Sequence, residues 1–238
     1  GDGNLAKSEC EAPNLPEYKA ASLKSFDDFD AETLGIEYYS PRINPVEFCD
    51  LKSRPGYLRI RGQESLSSLH KVSLVARKLT SVEAQVTTRI EFAPKTYQHS
   101  AGLIVYYDHM DYVFLRKYYS QSLNGEALGL VRLSNGERRE YRAQRIRLEN
   151  RPLYLRVIFD GRNFHFEWAY ADESYGKHIA FRQFGPAFDT SELSDEYCSY
   201  GEFTGTFVGM TCADRLFHSE CADFDFFEYL SNDDRVIR

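Results

Sequence analysis

Residues 82–92 read VEAQVTTRIEF, and this stretch decides the fold. Side chains alternate between apolar or small and polar along its whole length. Such a sustained period of two is typical of a β-strand with one buried face. We therefore predict a sheet whose inner face carries Val82, Ala84, Val86, Thr88, Ile90 and Phe92.

Strand and turn signals continue on both sides of this stretch. Two-strand hairpins are predicted around Asp108 to Asp111, around Asn135-Gly136 and around Asp160-Gly161. The whole pattern gives about eleven or twelve strands. One short helix is predicted over residues 190–197, capped by Thr190 or Ser191. These features predict an all-β fold, a two-sheet antiparallel sandwich of the jelly-roll type, with a closed barrel as the alternative.

The ends of the chain differ in pattern from its middle. Residues 1–25 are small and polar, contain two prolines and follow neither strand nor helix periodicity. We predict a tail or interdomain linker there, a β-sandwich domain over residues 26–230 and a C-terminal tail over residues 231–238.

Charge and apolar content exclude several classes of partner. The net charge of −7 argues against sequence-independent nucleic-acid binding, and the basic run at 135–151, NGERREYRAQRIRLENR, is interpreted as an exposed strand. No stretch of about 18 apolar residues is present, so we expect no membrane span. The chain has five cysteines, an odd number, and no C-x-x-C pair. Both features argue against a disulfide framework or a zinc site. No signal peptide is visible, but the chain does not begin with Met, so this absence says little about location. A cytoplasmic location is favoured, and a secreted or periplasmic one is left open in case a signal was removed.

Acidic residues at the two ends of the ordered chain are candidate metal ligands. The runs FDDFD at 26–30 and DFDFFEY at 223–229 would meet if the first and last strands pair. Ca²⁺ takes six to eight oxygen ligands, and carboxylates supply them. The candidates are Asp27, Asp28, Asp223 and Asp225, and the alternative is that they are solvated acids at strand ends.

Other candidate sites carry weaker signals. Paired carboxylates serve glycoside hydrolysis, but Glu64, Glu91, Asp108, Asp111, Glu167 and Glu228 sit in no motif that fixes a pair. Aromatic side chains on strands could stack on sugars, although a position in the core is more typical. These are Tyr106, Tyr107, Tyr118, Tyr119 and Trp168.

The segment at 55–78, PGYLRIRGQESLSSLHKVSLVARK, resembles the C-terminal concanavalin-like β-sandwich domain of β-xylosidases in glycoside hydrolase family 43. The resemblance runs in order through AGLIVYYDHMDYVFLRKYY at 101–119, FTGTFVGMTCA at 203–213 and DFDFFEY at 223–229. It implies a jelly roll of the concanavalin A-like type. It also implies that catalysis belongs to a five-bladed propeller, which carries an Asp base, a Glu acid and a pKa-tuning Asp. We therefore expect this chain not to be catalytic on its own.

The resemblance further implies that a sandwich loop reaches the edge of the propeller's active site. The matching loop is SDEYCSYGEFTG at 194–205, with Phe203 as the first choice for a pocket-edge aromatic and Tyr200 as the second. The alternative for Phe203 is that it begins the core face of the next strand. The resemblance also strengthens the prediction of structural Ca²⁺, with Asp28 and Asp225 as chosen ligands.

Three functions remain from the sequence. We expect an accessory domain of a xylan- or arabinoxylan-degrading glycoside hydrolase, which packs on a catalytic propeller in the same polypeptide or in a separate chain. The alternatives are a stand-alone, lectin-like carbohydrate-binding module and a self-contained glycosidase on a jelly roll. A xylo-oligosaccharide is an expected ligand, and a homo-oligomer is left open.

Overall fold

A computed structural model describes residues 14, 24–171, 179–200 and 205–231. Within these residues the chain forms two antiparallel sheets packed as a sandwich, so the predicted all-β fold is confirmed. Eight strands form the first sheet: β1 (Phe26–Asp27), β2 (Cys49–Asp50), β3 (Leu58–Arg61), β5 (Glu83–Glu91), β11 (Leu153–Asp160), β12 (Asn163–Tyr170), β13 (Arg182–Asp189) and β15 (Cys221–Ser231). Seven form the second: β4 (Ser73–Lys78), β6 (His99–Tyr106), β7 (Tyr112–Ser120), β8 (Gly125–Ser134), β9 (Glu137–Glu140), β10 (Ile146–Arg147) and β14 (Phe207–Asp214).

Strand order brings the two ends of the domain together. The first sheet runs β13-β12-β11-β5-β15-β3-β2, and β1 also pairs with β15. The second runs β10-β8-β7-β6-β14-β4, and β9 pairs with β8. The predicted pairing of the first and last strands is thus confirmed, with Asp27 opposite Phe227.

The stretch at 82–92 forms β5 at the centre of the first sheet, and its predicted inner face is correct except at one residue. Ala84, Val86, Thr88 and Ile90 are all buried against the second sheet. Val82 is 73% exposed because β5 begins only at Glu83. Each fully buried aliphatic side chain of this face stabilises the fold by about 1.5–3 kcal/mol.

The predicted hairpins are confirmed. Residues 108–111 join β6 to β7, and Asn135-Gly136 joins β8 to β9. Both residues of the second turn have positive φ, 48° for Asn135 and 82° for Gly136, as a two-residue turn of type I′ requires. The Asp160-Gly161 turn joins β11 to β12.

The helix predicted over 190–197 is shorter and capped differently. A 3-10 helix spans Thr190–Leu193, and the Asp189 side chain accepts a hydrogen bond from the Ser191 backbone N–H at 2.9 Å. Asp189 caps it because β13 ends there with extended backbone, which aims the carboxylate at the first free N–H groups. Two other 3-10 helices span Pro45–Glu47 and Arg142–Gln144.

Most of the predicted N-terminal tail, and residues 232–238, lie outside the described residues. Ser25 is described, and its carbonyl oxygen accepts a hydrogen bond from the Tyr229 N–H at 2.7 Å. The chain thus contacts the sandwich one residue before β1. Among the described residues, no helix is long and apolar enough to cross a membrane.

Candidate functional site

The loop at 194–205 is fixed at its base. Thr206, just after the loop, donates a side-chain hydrogen bond to the carbonyl oxygen of Leu193, just before it, at 2.6 Å. The Thr206 carbonyl oxygen in turn accepts from the Leu79 N–H at 2.9 Å. The structure describes residues 194–200 and Gly205, whereas Phe203, the first-choice pocket-edge residue, lies outside the described residues.

Asn135, in the β8–β9 turn, holds the first half of this loop. Its side-chain oxygen accepts from the Ser199 N–H at 2.8 Å, and its side-chain NH₂ reaches the Tyr197 carbonyl oxygen at 3.4 Å. Its own backbone N–H donates to Asp111 at 2.7 Å. One asparagine, through its side chain and its backbone N–H, therefore connects the loop to two hairpin turns.

Tyr200, the second-choice pocket-edge residue, lies on the β6–β7 turn. Its ring meets the His109 ring edge-on, with centroids 4.6 Å apart and planes at 89°. His109 is buried, whereas Tyr200 is 51% exposed. The contact supports one side of the tyrosine ring and leaves the rest of its surface open to a ligand or a partner.

A buried acidic layer lies beneath the loop. Asp108 and Asp111 are fully buried. Burial raises the pKa of Asp111, the Asn135 N–H opposes that rise, and the Asp108 charge adds to it. Burial, followed by the charges of Asp111 and Asp108, raises the pKa of the Cys198 thiol to about 12. Cys198 is therefore an uncharged packing residue, and Tyr107 completes the layer with a hydrogen bond to Asp195.

A local hydrogen bond already uses Asp108, one of the carboxylates considered for glycoside hydrolysis. Asp108 accepts from the Met110 N–H at 2.6 Å, within its own turn. A cavity of about 410 Å³ at the ends of β5 and β11 holds Glu83 and Asp160. Asp160 accepts from the Asn163 N–H at 2.7 Å, so it shapes the β11–β12 turn. Turn formation is the role that the geometry gives to Asp108 and Asp160.

The two predicted calcium ligands each face a cation of the protein. Asp28 lies 3.7 Å from the Lys24 ammonium, and Asp225 lies 2.9 Å from the Arg89 guanidinium. Over the described ranges, no three or more His, Cys, Asp or Glu side chains gather as a metal-binding group. Calcium at Asp28 and Asp225 stays a prediction, and Ca²⁺ would have to compete there with Lys24 and Arg89.

Four of the five aromatic residues considered for sugar stacking are core residues. Tyr106, Tyr107, Tyr118 and Trp168 are buried, and only Tyr119 is partly exposed. The segment 55–78 is also structural in part. Its loop places Leu66 and Val72 on the outer face of the second sheet, where both are buried.

The fold and this loop can now be set beside known proteins. The family model of the β-xylosidase C-terminal concanavalin A-like domain, from glycoside hydrolase family 43, matches residues 26–230. The chain belongs to this family. The concanavalin A-like fold of this family agrees with the two-sheet sandwich described above.

Full-length relatives are more than twice as long as the matched region. The domain is 31% identical to a β-xylosidase of Bacillus subtilis, over 95% of this chain and 42% of the relative. It is 32% identical to a xylan 1,3-β-xylosidase of a Vibrio species, over 97% of this chain and 42% of the relative. The crystal structure of a xylan β-1,4-xylosidase from Bacillus halodurans superposes with a TM-score of 0.84 at 36% identity, over 93% of this chain and 42% of that one. In these relatives, the concanavalin A-like domain shares its polypeptide with a further region.

The supports of the loop were not predicted as such. The signals DHMD and Asn135-Gly136 indicated hairpins and were interpreted only as turns. Their second role depends on contacts between residues far apart in the chain, such as His109 with Tyr200. A polar side chain at the tip of a tight turn, such as that of Asn135, was the available signal.

Proposed function

We propose that this chain is the accessory domain of a xylan- or arabinoxylan-degrading glycoside hydrolase of family 43. It packs on a catalytic five-bladed propeller, in the same polypeptide or in a separate chain, and presents the 194–205 loop at the edge of the active site. The observation that carries the proposal is coverage: the chain matches 42% of relatives that are named as xylosidases. The remaining length of such relatives leaves room for the catalytic machinery.

The geometry of the loop supports this role. A residue that closes a substrate pocket must be held in place before the substrate arrives, since misplacement costs rate. Asn135 and His109 hold residues 197–200 from two turns, and Tyr200 keeps half of its surface open. Tyr200 and Phe203 are accordingly the residues we propose for the pocket edge.

The sugar linkage is a separate matter. One relative is named for 1,3-linked xylan and another for 1,4-linked xylan, at similar identity to this chain. The pentose-containing substrate is therefore expected to depend on the catalytic region more than on this domain.

The test is hydrolysis of p-nitrophenyl-β-D-xyloside. The chain is assayed alone and mixed with the catalytic region of a family-43 β-xylosidase. We expect activity from that region to rise in the mixture and the chain alone to be inactive. Phe203→Ala should remove most of the rise, about tenfold, because an aromatic pocket wall contributes about 1.5 kcal/mol. Tyr200→Ala should have a smaller effect in the same direction.

The matched control is Phe217→Ala, which deletes a phenylalanine that is 77% exposed in the β14–β15 turn, outside the loop. It should leave the rise intact. Activity from the chain alone would overturn the accessory role, and so would a mixture that behaves as the catalytic region alone.

Structural Ca²⁺ at Asp28 and Asp225 is proposed with its own test. A cation bound only by the folded chain stabilises it by RT ln(1 + c/Kd), where c is the cation concentration, so the melting temperature rises with that concentration. Calcium chloride should raise it for the native chain and not for a variant with Asp28→Asn and Asp225→Asn. Asp50→Asn, at an exposed acid in β2, is the control. Equal shifts for all three proteins would refute the site.

A further inference from the structure

An arginine-rich groove crosses the outer face of the second sheet. Val113 and Leu115 of β7 face the core between the sheets, whereas Tyr112, Phe114 and Arg116 face outward. Two cavities of about 420 and 440 Å³ lie on this outer side. They meet at three arginines, which line both: Arg116, Arg138 and Arg215.

Positive charge in the groove is not balanced. Arg142 and Arg145 bring the lining to five guanidinium groups, and Glu140 is its one carboxylate. Glu140 lies 2.6 Å from Arg116, 3.2 Å from Arg142 and 3.6 Å from Arg138. Across the described residues, neither Arg145 nor Arg215 pairs with a carboxylate. A chain with a net charge of −7 has thus gathered a positive cluster in one concave place.

Arg116 at the floor of the groove is a built feature and not a surface side chain. Only 12% of its side chain is exposed, and its guanidinium lies over the Tyr118 ring at 4.2 Å. Its Nε is buried and has no hydrogen-bond partner among the described residues. Burial lowers the pKa of Arg116, the Glu140 charge opposes this, and the charges of Arg138 and Arg215 lower it further. An anion between these guanidinium groups would relieve the repulsion.

The rest of the lining is uncharged and combines polar, aromatic and aliphatic side chains. One cavity adds the Tyr97 ring, which is 52% exposed, together with Ser120, Gln121 and Ser122. The other adds serine hydroxyls at positions 65, 67 and 100. Hydroxyl and amide groups bind sugar hydroxyls, and an exposed tyrosine ring offers an apolar surface to a sugar ring. Each cavity falls in the size range of small-molecule sites, which is far more space than an inorganic anion needs.

We propose that this groove binds an oligosaccharide that carries a carboxylate, such as a chain with a uronic acid substituent. The carboxylate lies between Arg138 and Arg215 above Arg116, and neutral sugar units extend into the two cavities. Guanidinium groups suit this task because their paired N–H donors match both oxygens of a carboxylate. The site lies on β7, β9 and the β14–β15 turn and does not involve the 194–205 loop, so it does not depend on the accessory role proposed above.

A nucleic acid fits the same residues less well. Binding along a phosphate backbone needs positive charge that continues along a track. Here the arginines surround one carboxylate in one groove, and the chain as a whole is acidic.

Isothermal titration calorimetry on this chain tests the proposal. The probes are xylotetraose with one glucuronic acid side group, unsubstituted xylotetraose, inorganic sulfate and single-stranded oligodeoxythymidine. We expect the acidic oligosaccharide to bind most tightly and its affinity to fall with added salt. A double variant, Arg138→Gln with Arg215→Gln, should weaken its binding about a hundredfold, since it removes two charge-assisted contacts and each contributes about tenfold.

Arg139→Gln is the matched control. Arg139 is exposed on β9, the strand that also carries Arg138. Its guanidinium lies over Tyr141, and it does not line the groove. The control should change affinity less than about twofold, as surface substitutions do. Equal affinity for the acidic and neutral oligosaccharides would overturn carboxylate recognition. Sulfate binding as tight as that of the acidic oligosaccharide would reduce the site to an anion site and overturn the sugar assignment. Tighter binding of oligodeoxythymidine, or an equal loss in Arg139→Gln, would overturn the proposal as well.

Discussion

The outer faces of the two sheets use the same kinds of side chain in different proportions. On the first sheet, three arginines meet three carboxylates. The Asp223 carboxylate lies 2.7 Å from the Arg59 guanidinium and 2.9 Å from that of Arg54. The Glu91 carboxylate lies 2.8 Å from the Arg54 guanidinium and 2.9 Å from that of Arg89. The Asp225 carboxylate also lies 2.9 Å from the Arg89 guanidinium. On the second sheet, five arginines line a groove with one glutamate.

The difference separates structural charge from charge that is open to a ligand. Arg54, Arg59 and Arg89 each have a carboxylate partner, so the charges of this cluster are balanced without a ligand. The second face holds an excess of positive charge around the partly buried Arg116, a cost that folding alone does not require. The presence of arginine is therefore a poor guide to function on this protein, and the balance of charge is the better one.

Acidification should give the largest loss of stability, because each carboxylate with a lowered pKa stabilises the fold less as the pH falls. Burial alone would raise the pKa of Asp223, but hydrogen bonds from Arg59 and Arg54 lower it. Burial would also raise the pKa of Asp214. Hydrogen bonds from the backbone N–H groups of residues 216, 217, 219 and 220 outweigh this effect and lower the pKa well below its usual range. A lowered folded pKa stabilises the fold above the unfolded value, about 3.9, and that stability is lost as the pH falls through the folded pKa.

Urea unfolding at successive pH values from about 6 to 2 checks this expectation. The free energy of unfolding should fall steadily below about pH 4. Asp111 acts in the opposite direction, since its raised pKa means that protonation in the folded state is favourable. Asp214→Asn should flatten the curve at low pH. A native chain with constant stability across this range would contradict the structural role of Asp214 and Asp223.

Removing Asp223 should break the balanced face. Asp223→Ala leaves Arg54 and Arg59 without their shared carboxylate, and we expect a loss of about 2 kcal/mol in the free energy of unfolding. A fully buried pair would lose about 3–5 kcal/mol, but these arginines are about one-third exposed, so solvent screening reduces the loss. Urea unfolding with an unchanged m-value measures it. Glu149→Ala, at an exposed acid, should change stability by less than about 0.5 kcal/mol, and equal losses would refute the contrast.

Local sequence pattern was sufficient for the sandwich. The alternation in 82–92 and the three turn signals each involve residues close in sequence, so strands and hairpins followed from them. Errors fell at element ends. Val82 lies outside β5, and Asp189 caps the 3-10 helix in place of Thr190 or Ser191.

Alternation also predicts that Arg89 and Arg116 face away from a core, but it cannot say what they meet. Arg89 pairs with Asp225, which is 136 residues away, through the register of β5 with β15. Arg116 meets Glu140 because β8 brings β9 close to β7. The basic run at 135–151 was interpreted as an exposed strand. That reading is correct for Arg138 and Arg139, which are exposed on β9, but it did not reveal that Arg138, Arg142 and Arg145 line a groove that only the assembled sheet creates.

Glu140→Gln should sharpen the comparison on the second face. The change removes the groove's one carboxylate and leaves the partly buried Arg116 beside an amide, which we expect to lower the free energy of unfolding by about 1–2 kcal/mol. The same change raises the positive excess, so sodium sulfate should restore more stability to this variant than to Asp223→Ala at equal ionic strength. Urea unfolding of both variants with and without sulfate provides the measurement. Equal recovery would mean that the two faces respond to anions alike.

The smallest effect is the most diagnostic, because its sign should differ between the faces. Arg215→Gln removes a charge that lacks a carboxylate partner and adds to the repulsion on Arg116, so we expect a gain of a few tenths of a kcal/mol, roughly 0.3. Arg59→Gln removes the same charge from a face where it binds Asp223 through two nitrogens, and we expect a loss of about 1 kcal/mol. Thermal and urea unfolding of the pair, with Arg139→Gln as a neutral reference, resolve the sign. A loss of similar size at both positions would show that Arg215 is structural, and the charge excess in the groove would then need no ligand to explain it.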